Sequence, residues 1–167
     1  YTLGKNANKN HILPLQNKCS NITHVDRGGD VTYHGPGQLV CYPIINLNNY
    51  RKSVSWYVRL IEESIVEILR KHKINAIKKK SPLIGIWVDD EKIAAIGIRL
   101  SRWISTHGFA VNVNTDLSYF DGIIPCGIFE YGITSLFEQE IIISMKNIVD
   151  KIVFTFMESF EEFSCEI

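Results

Sequence analysis

Two apolar segments joined by a charged turn constrain the fold of this chain more than any other feature. The segment IGIWV ends at Val88, the pair Asp89-Asp90 follows, and the segment KIAAIGIRL begins at Lys92. Apolar, β-branched runs on either side of a short polar turn predict a β-hairpin. We therefore expect a β-sheet built around this hairpin.

Two amphipathic segments predict the helices that accompany the sheet. Ser53 is a suitable N-cap for the first, apolar residues recur at helical spacing over residues 54–69, and cations at residues 70–72 suit the carboxyl end of the helix dipole. The second segment, residues 144–163, carries apolar residues on one face, and we expect this helix to lie on a sheet.

Three other segments predict strands. GDVTYH contains Val31 in an alternating pattern, QLVCYPIINL is an apolar run long enough for one buried strand, and GFAVNVN reads as another strand. The run Lys78-Lys79-Lys80 is expected to be a solvated loop. With no linker to divide the chain, this pattern predicts an α+β fold with a mixed β-sheet packed with helices, in a single catalytic domain over residues 1–167.

Composition limits the partners and the metal chemistry to be expected. The 18 basic and 18 acidic residues give zero formal charge, which offers no reason to expect nucleic acid or an anionic membrane as a partner. No segment approaches the roughly 20 apolar residues of a membrane span. The cysteines are free of CxxC pairing, so reduced thiols without a metal site are expected at Cys19, Cys41, Cys126 and Cys165.

Cys126 lies in the segment Ile124-Pro125-Cys126-Gly127, where proline and glycine predict a sharp turn. A thiol on such a turn can meet an acyl carbon while nearby backbone N–H groups stabilise the oxyanion. A lone cysteine in this context is more often a structural thiol. The local motif leaves both interpretations open.

A cysteine nucleophile also needs a neighbouring cation, because an unperturbed thiol is only a few per cent ionised at pH 7. His34 and His107 are candidates for this role. Lys92 is a third candidate, since the residues that follow it, 93–98, are uncharged and apolar. The alternative for Lys92 is an exposed lysine at a strand end.

The segment RGGDVTYHGPGQLVCYP is dense in residues that suit a binding loop. Its glycines and prolines allow a ligand to approach the backbone closely, and Arg27, Tyr33, His34 and Gln38 supply polar groups. No Gly-Lys-Ser/Thr follows Gly28-Gly29, so the loop is not a P-loop. An ordinary glycine-rich β-turn remains the alternative.

Four ordered blocks of the sequence resemble the lipoyl(octanoyl) transferase family. They are RGGDVTYHGPGQL from Arg27, KIAAIGIRLSR from Lys92, HGFAVNVNTDL from His107 and IIPCGI from Ile123. The resemblance extends loosely over residues 2–136 and implies a fold like the catalytic domain of biotin protein ligases and lipoate–protein ligases. Family members usually have a further strand and helix before the segment that matches Tyr1.

The resemblance also implies site residues. It places a thioester-forming cysteine at Cys126 and a lysine that lowers the thiol pKa at Lys92. The family's substrate-binding segments fall on Arg27, Gly28, Gly29, Asp30, Val31, Thr32, Tyr33 and His34, on Ala95, Ile96 and Gly97, and on Gly108, Phe109 and Ala110. Ala95 and Gly97 are small enough to leave an acyl tunnel, and His107 is expected to support the site.

The implied reaction moves an octanoyl group from octanoyl-acyl carrier protein to Cys126. A lysine then receives it, in a lipoyl domain of a 2-oxoacid dehydrogenase complex or in glycine-cleavage H protein. Exchange of one thioester for another needs no ATP, so no cofactor is expected. A bacterial source would place the chain in the cytoplasm, and a eukaryotic source in the mitochondrion or plastid.

Two other functions stay open at the level of sequence. An ATP-using ligase of the same fold would activate the acid as an adenylate, although RGGDVTYH, with a carboxylate at Asp30, is a poor phosphate-binding loop. A non-catalytic binding module would leave Cys126 as a structural thiol.

Overall fold

The computed structural model describes residues 1–14, 21–81, 83–124 and 131–164, which form β-strands and helices around a shared core. The strands are β1 (Thr2–Leu3), β2 (Thr23–His24), β3 (Val31–Thr32), β4 (Gln38–Cys41), β5 (Ala76–Lys79), β6 (Gly85–Val88), β7 (Glu91–Ser101), β8 (Ile104–Asn112) and β9 (Gly132–Ile133). The α-helices are α1 (Val54–Lys71) and α2 (Met145–Ser164), and short 3-10 helices span Lys9–His11, Leu47–Asn49 and Leu117–Gly122. The predicted α+β class with a mixed sheet is confirmed.

The main sheet has the strand order β4-β8-β7-β6-β5, with antiparallel neighbours throughout, and β9 adds to β7 in parallel. The predicted hairpin is confirmed as β6 and β7, with Asp89 in the left-handed region at the turn (φ 51°). Its register shifts between Ile86 and Trp87, since Ile86 pairs with Ala94 and Trp87 with Lys92. This β-bulge places one extra residue, Ile93, on β7.

A small second sheet has the order β2-β1-β3, in which β1 runs parallel to β2 and antiparallel to β3. The loop between β2 and β3 reaches the main sheet, because Gly28 N donates a hydrogen bond to Ile98 O (2.9 Å). Ile98 lies on the part of β7 that extends beyond its pairing with β6. The small sheet therefore stands beside the far half of β7.

Helix α1 covers one face of the main sheet. Its predicted N-cap is confirmed, since Ser53 Oγ accepts a hydrogen bond from Trp56 N (3.2 Å). Helix α2 packs against α1, and its apolar face, which includes Ile148 and Ile152, joins the buried core cluster that the main sheet also forms. Its residue Phe160 contacts the rings of Tyr50 and Trp56, with centroids 4.4 and 5.8 Å away. Among the described residues, no helix has the length and apolar character needed to cross a membrane.

The structure corrects two strand predictions. The run QLVCYPIINL is not one buried strand: β4 ends at Cys41, and the side chains of Tyr42 and Ile44 are exposed. Pro43 cannot donate to a ladder, which explains why pairing stops there. The lysine run is not simply a solvated loop either, because Lys78 and Lys79 belong to β5 and pair with Glu63 and Asp90.

The close approach of β4 to β8 depends on the absence of a side chain at Gly108. A Cβ there would collide with Cys41 O and lie 2.6 Å from Pro43 Cδ, whereas a Cβ at Gly132 would meet only the flexible side chain of Glu91. We expect Gly108→Ala to lower the free energy of unfolding by about 1–3 kcal/mol. Urea denaturation measures this loss.

The matched control is Gly132→Ala, for which we expect a change within about 0.5 kcal/mol. Equal stability of Gly108→Ala and the wild-type chain would contradict the close packing of β4 on β8.

Candidate active site

A groove of about 750 Å³ lies between the small sheet and the main sheet. Its floor consists of side chains that alternate onto one face of β4, β8 and β7. They are Gln38 and Val40, Ala110 and Asn112, and Ala95 and Gly97. Because Ala95, Gly97 and Ala110 have small side chains or none, the floor leaves room for an extended apolar ligand.

Most of the site residues expected from the sequence line this one groove. They are Arg27, Gly28, Gly29, Asp30, Val31, Thr32, His34, Lys92, Ala95, Ile96, Gly97, His107, Phe109 and Ala110. Tyr33 and Gly108 do not line it: Tyr33 is buried and stacks on Tyr119 with ring centroids 4.9 Å apart, and Gly108 packs against β4. Cys126 lies outside the described residues.

The buried side chain of Arg27 fixes the loop that forms one wall of the groove. Its guanidinium donates to Thr2 O (2.8 Å), Thr2 Oγ1 (3.0 Å) and Gly28 O (3.0 Å). A Cβ at Gly97 would lie only 3.0 Å from Arg27 Cδ and 3.1 Å from Gly28 O. A side chain at position 97 would therefore push the loop away from the floor.

Lys92 brings a positive charge into the groove although only 6% of the residue is exposed. It lies three positions before Ala95, a spacing at which regular strand alternation would put the two side chains on opposite faces. The bulge at Ile93 shifts this alternation by one residue and lets both residues line the groove. The Lys92 side chain also passes close to Gly85, where a Cβ would lie 3.3 Å from Lys92 Cε.

The chain is held firmly on both sides of residues 125–130. Before them, Ile124 N donates to His11 O (2.8 Å). After them, Tyr131 contacts the ring of Trp87 with centroids 5.2 Å apart, and Ile133 pairs with Lys92. Thr134 N also donates to Lys92 O (3.0 Å), so the returning chain follows β7 beside the buried lysine.

A chain of hydrogen bonds crosses the polar part of the groove. Gln38 Nε2 donates to Asn112 Oδ1 (2.9 Å) and to Tyr33 O (3.2 Å), and Asn112 Nδ2 donates to Thr134 O (2.9 Å). Gln38 Oε1 is therefore the acceptor in its 2.7 Å contact with His34 Nδ1. This network assigns the proton of neutral His34 to Nδ1 and leaves Nε2 as an acceptor.

Both candidate histidines are poor sources of positive charge. Burial lowers the pKa of His34, and the charge of Arg27 lowers it further, against the opposing effect of the hydrogen bond that His34 donates to Gln38. Burial, Arg27 and Arg99 likewise lower the pKa of His107. Its partner Asp26 (2.7 Å) does not reverse this direction, because Arg99 also pairs with that carboxylate. Lys92 is thus better suited than either histidine to stabilise a thiolate.

Sequence reasoning missed His11, which lines the groove with its Nδ1 2.5 Å from Asp30 Oδ2. It also missed Trp87, which contacts Lys92 from the adjacent strand. Neither contact leaves a signal in sequence spacing, because both join residues of different elements. Within the described part of the chain, no group of three or more His, Cys, Asp or Glu side chains is arranged to hold a metal ion.

Comparison with known proteins defines the class to which this site belongs. The family model of the lipoyl protein ligase A/B catalytic domain matches residues 1–157. The chain therefore belongs to the lipoyl protein ligase A/B catalytic domain family.

Curated relatives narrow the class further. The octanoyltransferase of Caldanaerobacter subterraneus is 43% identical over 165 residues, which is 96% of this chain and 72% of that protein. The mitochondrial octanoyl-[acyl-carrier-protein]:protein N-octanoyltransferase of Danio rerio is 46% identical over 149 residues, covering 89% of this chain and 64% of that protein. Both names describe transfer of an octanoyl group.

Solved structures confirm the expected fold. A bipartite lipoate protein ligase from Thermoplasma acidophilum superposes with a TM-score of 0.64 at 17% identity, over 84% of this chain and 58% of that one. The biotin protein ligase of Aquifex aeolicus in its apo form gives a TM-score of 0.60 at 18% identity, over 77% of this chain and 55% of that one. At these identities the likeness concerns the fold alone.

The lowered pKa of His34 predicts a pH dependence of stability. Since the folded pKa lies below the unfolded value of 6.5, the unfolded chain binds more protons in this range, and stability falls as the pH decreases below about 6.5. We expect His34→Asn to reduce this loss between pH 7.5 and pH 5, measured by urea denaturation. The exposed residue His24 provides the control substitution, His24→Asn, which should leave the dependence unchanged. If the free energy of unfolding depends on pH in the same way in the wild-type chain and in His34→Asn, the lowered pKa of His34 is contradicted.

Proposed function

We propose that this octanoyltransferase carries the octanoyl group as a thioester on Cys126, with Lys92 as the cation that keeps the sulfur ionised. The observation that carries this proposal is the burial of Lys92 in the groove, beside the chain that returns from residues 125–130. A cation beside a thiol favours the ionised form of the sulfur.

Chain connectivity supports the pairing. Cys126 follows Ile124 by two residues, and two residues of extended chain span about 7 Å at most. Ile124 is fixed by its hydrogen bond to His11 O, and His11 lines the same groove as Lys92. These contacts support the proposal because they bring the chain to the groove two residues before Cys126.

The walls of the groove suit a medium-length acyl chain. Ala95, Gly97 and Ala110 leave the floor open, and Val40 and Phe109 contribute apolar surface. Each buried methylene contributes about 0.8 kcal/mol, so an octanoyl chain can be held without polar contacts. The loop that Arg27 fixes forms the wall beside the bound chain.

In the first half-reaction, the thiolate of Cys126 attacks the thioester carbonyl of octanoyl-acyl carrier protein. The tetrahedral intermediate collapses, the carbon–sulfur bond to the carrier breaks, and the phosphopantetheine thiolate takes a proton from the Lys92 ammonium. The products are the acyl-enzyme, the carrier thiol and a neutral Lys92. The name of the relative from Danio rerio supports acyl carrier protein as the donor.

In the second half-reaction, the acceptor lysine loses one proton to solvent and attacks the acyl-enzyme as an amine. Its second proton passes to the neutral Lys92, Cys126 leaves as a thiolate, and an amide forms. The overall exchange releases one proton and restores the starting enzyme without ATP. We propose lipoyl domains of 2-oxoacid dehydrogenase complexes and glycine-cleavage H protein as acceptors. A bacterial source would place this reaction in the cytoplasm, and a eukaryotic source in the mitochondrion or plastid.

Intact mass spectrometry after mixing with octanoyl-acyl carrier protein tests the intermediate. We expect an adduct of octanoyl mass on the wild-type chain and none on Cys126→Ser, because a serine hydroxyl stays un-ionised beside Lys92. The control Cys41→Ser should acquire the adduct, since burial raises the pKa of the Cys41 thiol. An octanoyl adduct on Cys126→Ser would contradict the proposal. So would consumption of free octanoate by the wild-type chain only when ATP is added.

Removal of the Lys92 charge should slow acylation. Lys92→Met keeps the length of the side chain but removes the ammonium, and we expect a rate about 10²-fold lower in single-turnover acylation. The matched control is Lys78→Met, an exposed lysine on β5 outside the groove lining, which should acylate at the wild-type rate. An equal rate for Lys92→Met and Lys78→Met would remove Lys92 from the reaction.

A further inference from the structure

The indole of Trp87 contacts two lysine ammonium groups. Its ring centroid is 4.8 Å from Lys92 Nζ and 4.5 Å from Lys79 Nζ. Trp87 is buried, and its Nε1 donates a hydrogen bond to Leu83 O (2.9 Å), which fixes the orientation of the ring. Both ammonium distances fall within the range of cation–π attraction.

The two lysines differ in their surroundings. Lys79 has a carboxylate partner, Asp90 Oδ1 at 2.9 Å, and its Nζ also lies 4.4 Å from the ring centroid of Tyr131. Lys92 is the lysine that lines the groove. Lys79, Trp87 and Tyr131 thus form a cluster, and the face of its indole contacts the Lys92 ammonium.

The methylene groups of Lys92, here called its stem, are confined by neighbouring residues, as its ammonium group is. Gly85 has a φ of 144°, and a Cβ there would lie 2.7 Å from Ala94 O and 3.5 Å from Lys92 Cδ. The missing side chain at Gly85 therefore opens the path along which the stem runs. With the stem confined by Gly85 and the ammonium attracted by Trp87, the side chain of Lys92 has few alternative rotamers.

Tyr131 connects this arrangement to the chain that follows residues 125–130. Its ring meets Trp87 edge-on, with centroids 5.2 Å apart at 69°. The next residues form β9, which pairs with β7 at Lys92. The indole therefore contacts both the groove lysine and the anchor of the returning chain.

We propose that Trp87 is a positioning residue that holds the Lys92 ammonium toward the groove and fixes its distance to the chain anchored at Tyr131. Trp87 does not line the groove, so it acts through Lys92 and not on the substrate. This inference rests on the proposed role of Lys92 in acyl transfer. It adds Trp87 as a second residue whose loss should displace the Lys92 ammonium without weakening substrate binding.

Single-turnover acylation by octanoyl-acyl carrier protein, followed over pH, tests the proposal with Trp87→Leu and the conservative variant Trp87→Phe. We expect Trp87→Leu to acylate about tenfold more slowly at pH 7, with its pH–rate profile displaced to higher pH and half-saturation by the donor unchanged. Trp87→Phe retains an aromatic face and should recover most of the rate. Equal profiles for the two variants, or a loss confined to donor binding, would overturn the proposal.

A measurement on the wild-type chain covers the case in which Trp87→Leu does not fold. In protein labelled with 13C at lysine Cε, the ring current of Trp87 should shift the Lys92 methylene signal upfield, with the signal assigned by its loss in Lys92→Arg. A Lys92 signal at the position of exposed lysines would overturn the inference. If Lys92→Met acylates normally while the shifted signal is present, the proposed function fails and the contact with Trp87 stands.

Discussion

The buried ammonium of Lys92 is the constraint on which the architecture of the groove depends. A charge inside a protein is retained only where polar or aromatic groups compensate for lost hydration. The hairpin meets this requirement with a bulge at Ile93, which turns Lys92 into the groove, with the open space at Gly85, and with the indole of Trp87. An apolar residue at position 92 would make a simpler hairpin. The proposed function gives a reason for this local conflict, because the reaction would need a positive charge at this position.

The groove combines parts that are distant in the sequence. Arg27 fixes the wall through the backbone of Thr2, small residues of β7 and β8 form the floor, and β9 returns the chain to Lys92. Ligases of lipoate and biotin share this fold at 17–18% identity, so the fold alone does not determine the chemistry. In the proposed function, the reaction depends on a few residues, namely Lys92 on the bulged strand and Cys126.

Local signals predicted the parts of the fold that depend on neighbouring residues. The β6–β7 hairpin and α1 followed from periodicity, turn residues and the N-cap Ser53. The strands β1 and β2 have two residues each, which is too short for any periodicity. The packing of α2 against α1 depends on contacts between residues that are distant in the sequence. The site residues came from four blocks of family resemblance. The contact between Trp87 and Lys92 depends on a register shift that no local pattern encodes.

The ionisation of Cys126 in the presence and absence of the Lys92 charge is the most direct test of this account. Alkylation by iodoacetamide, followed over pH for the Cys126 peptide by mass spectrometry, reports the pKa of that thiol. We expect a pKa at least one unit below the value of about 8.5 for a free cysteine, and a return to that value or above in Lys92→Met. The same thiol pKa in both proteins would contradict it.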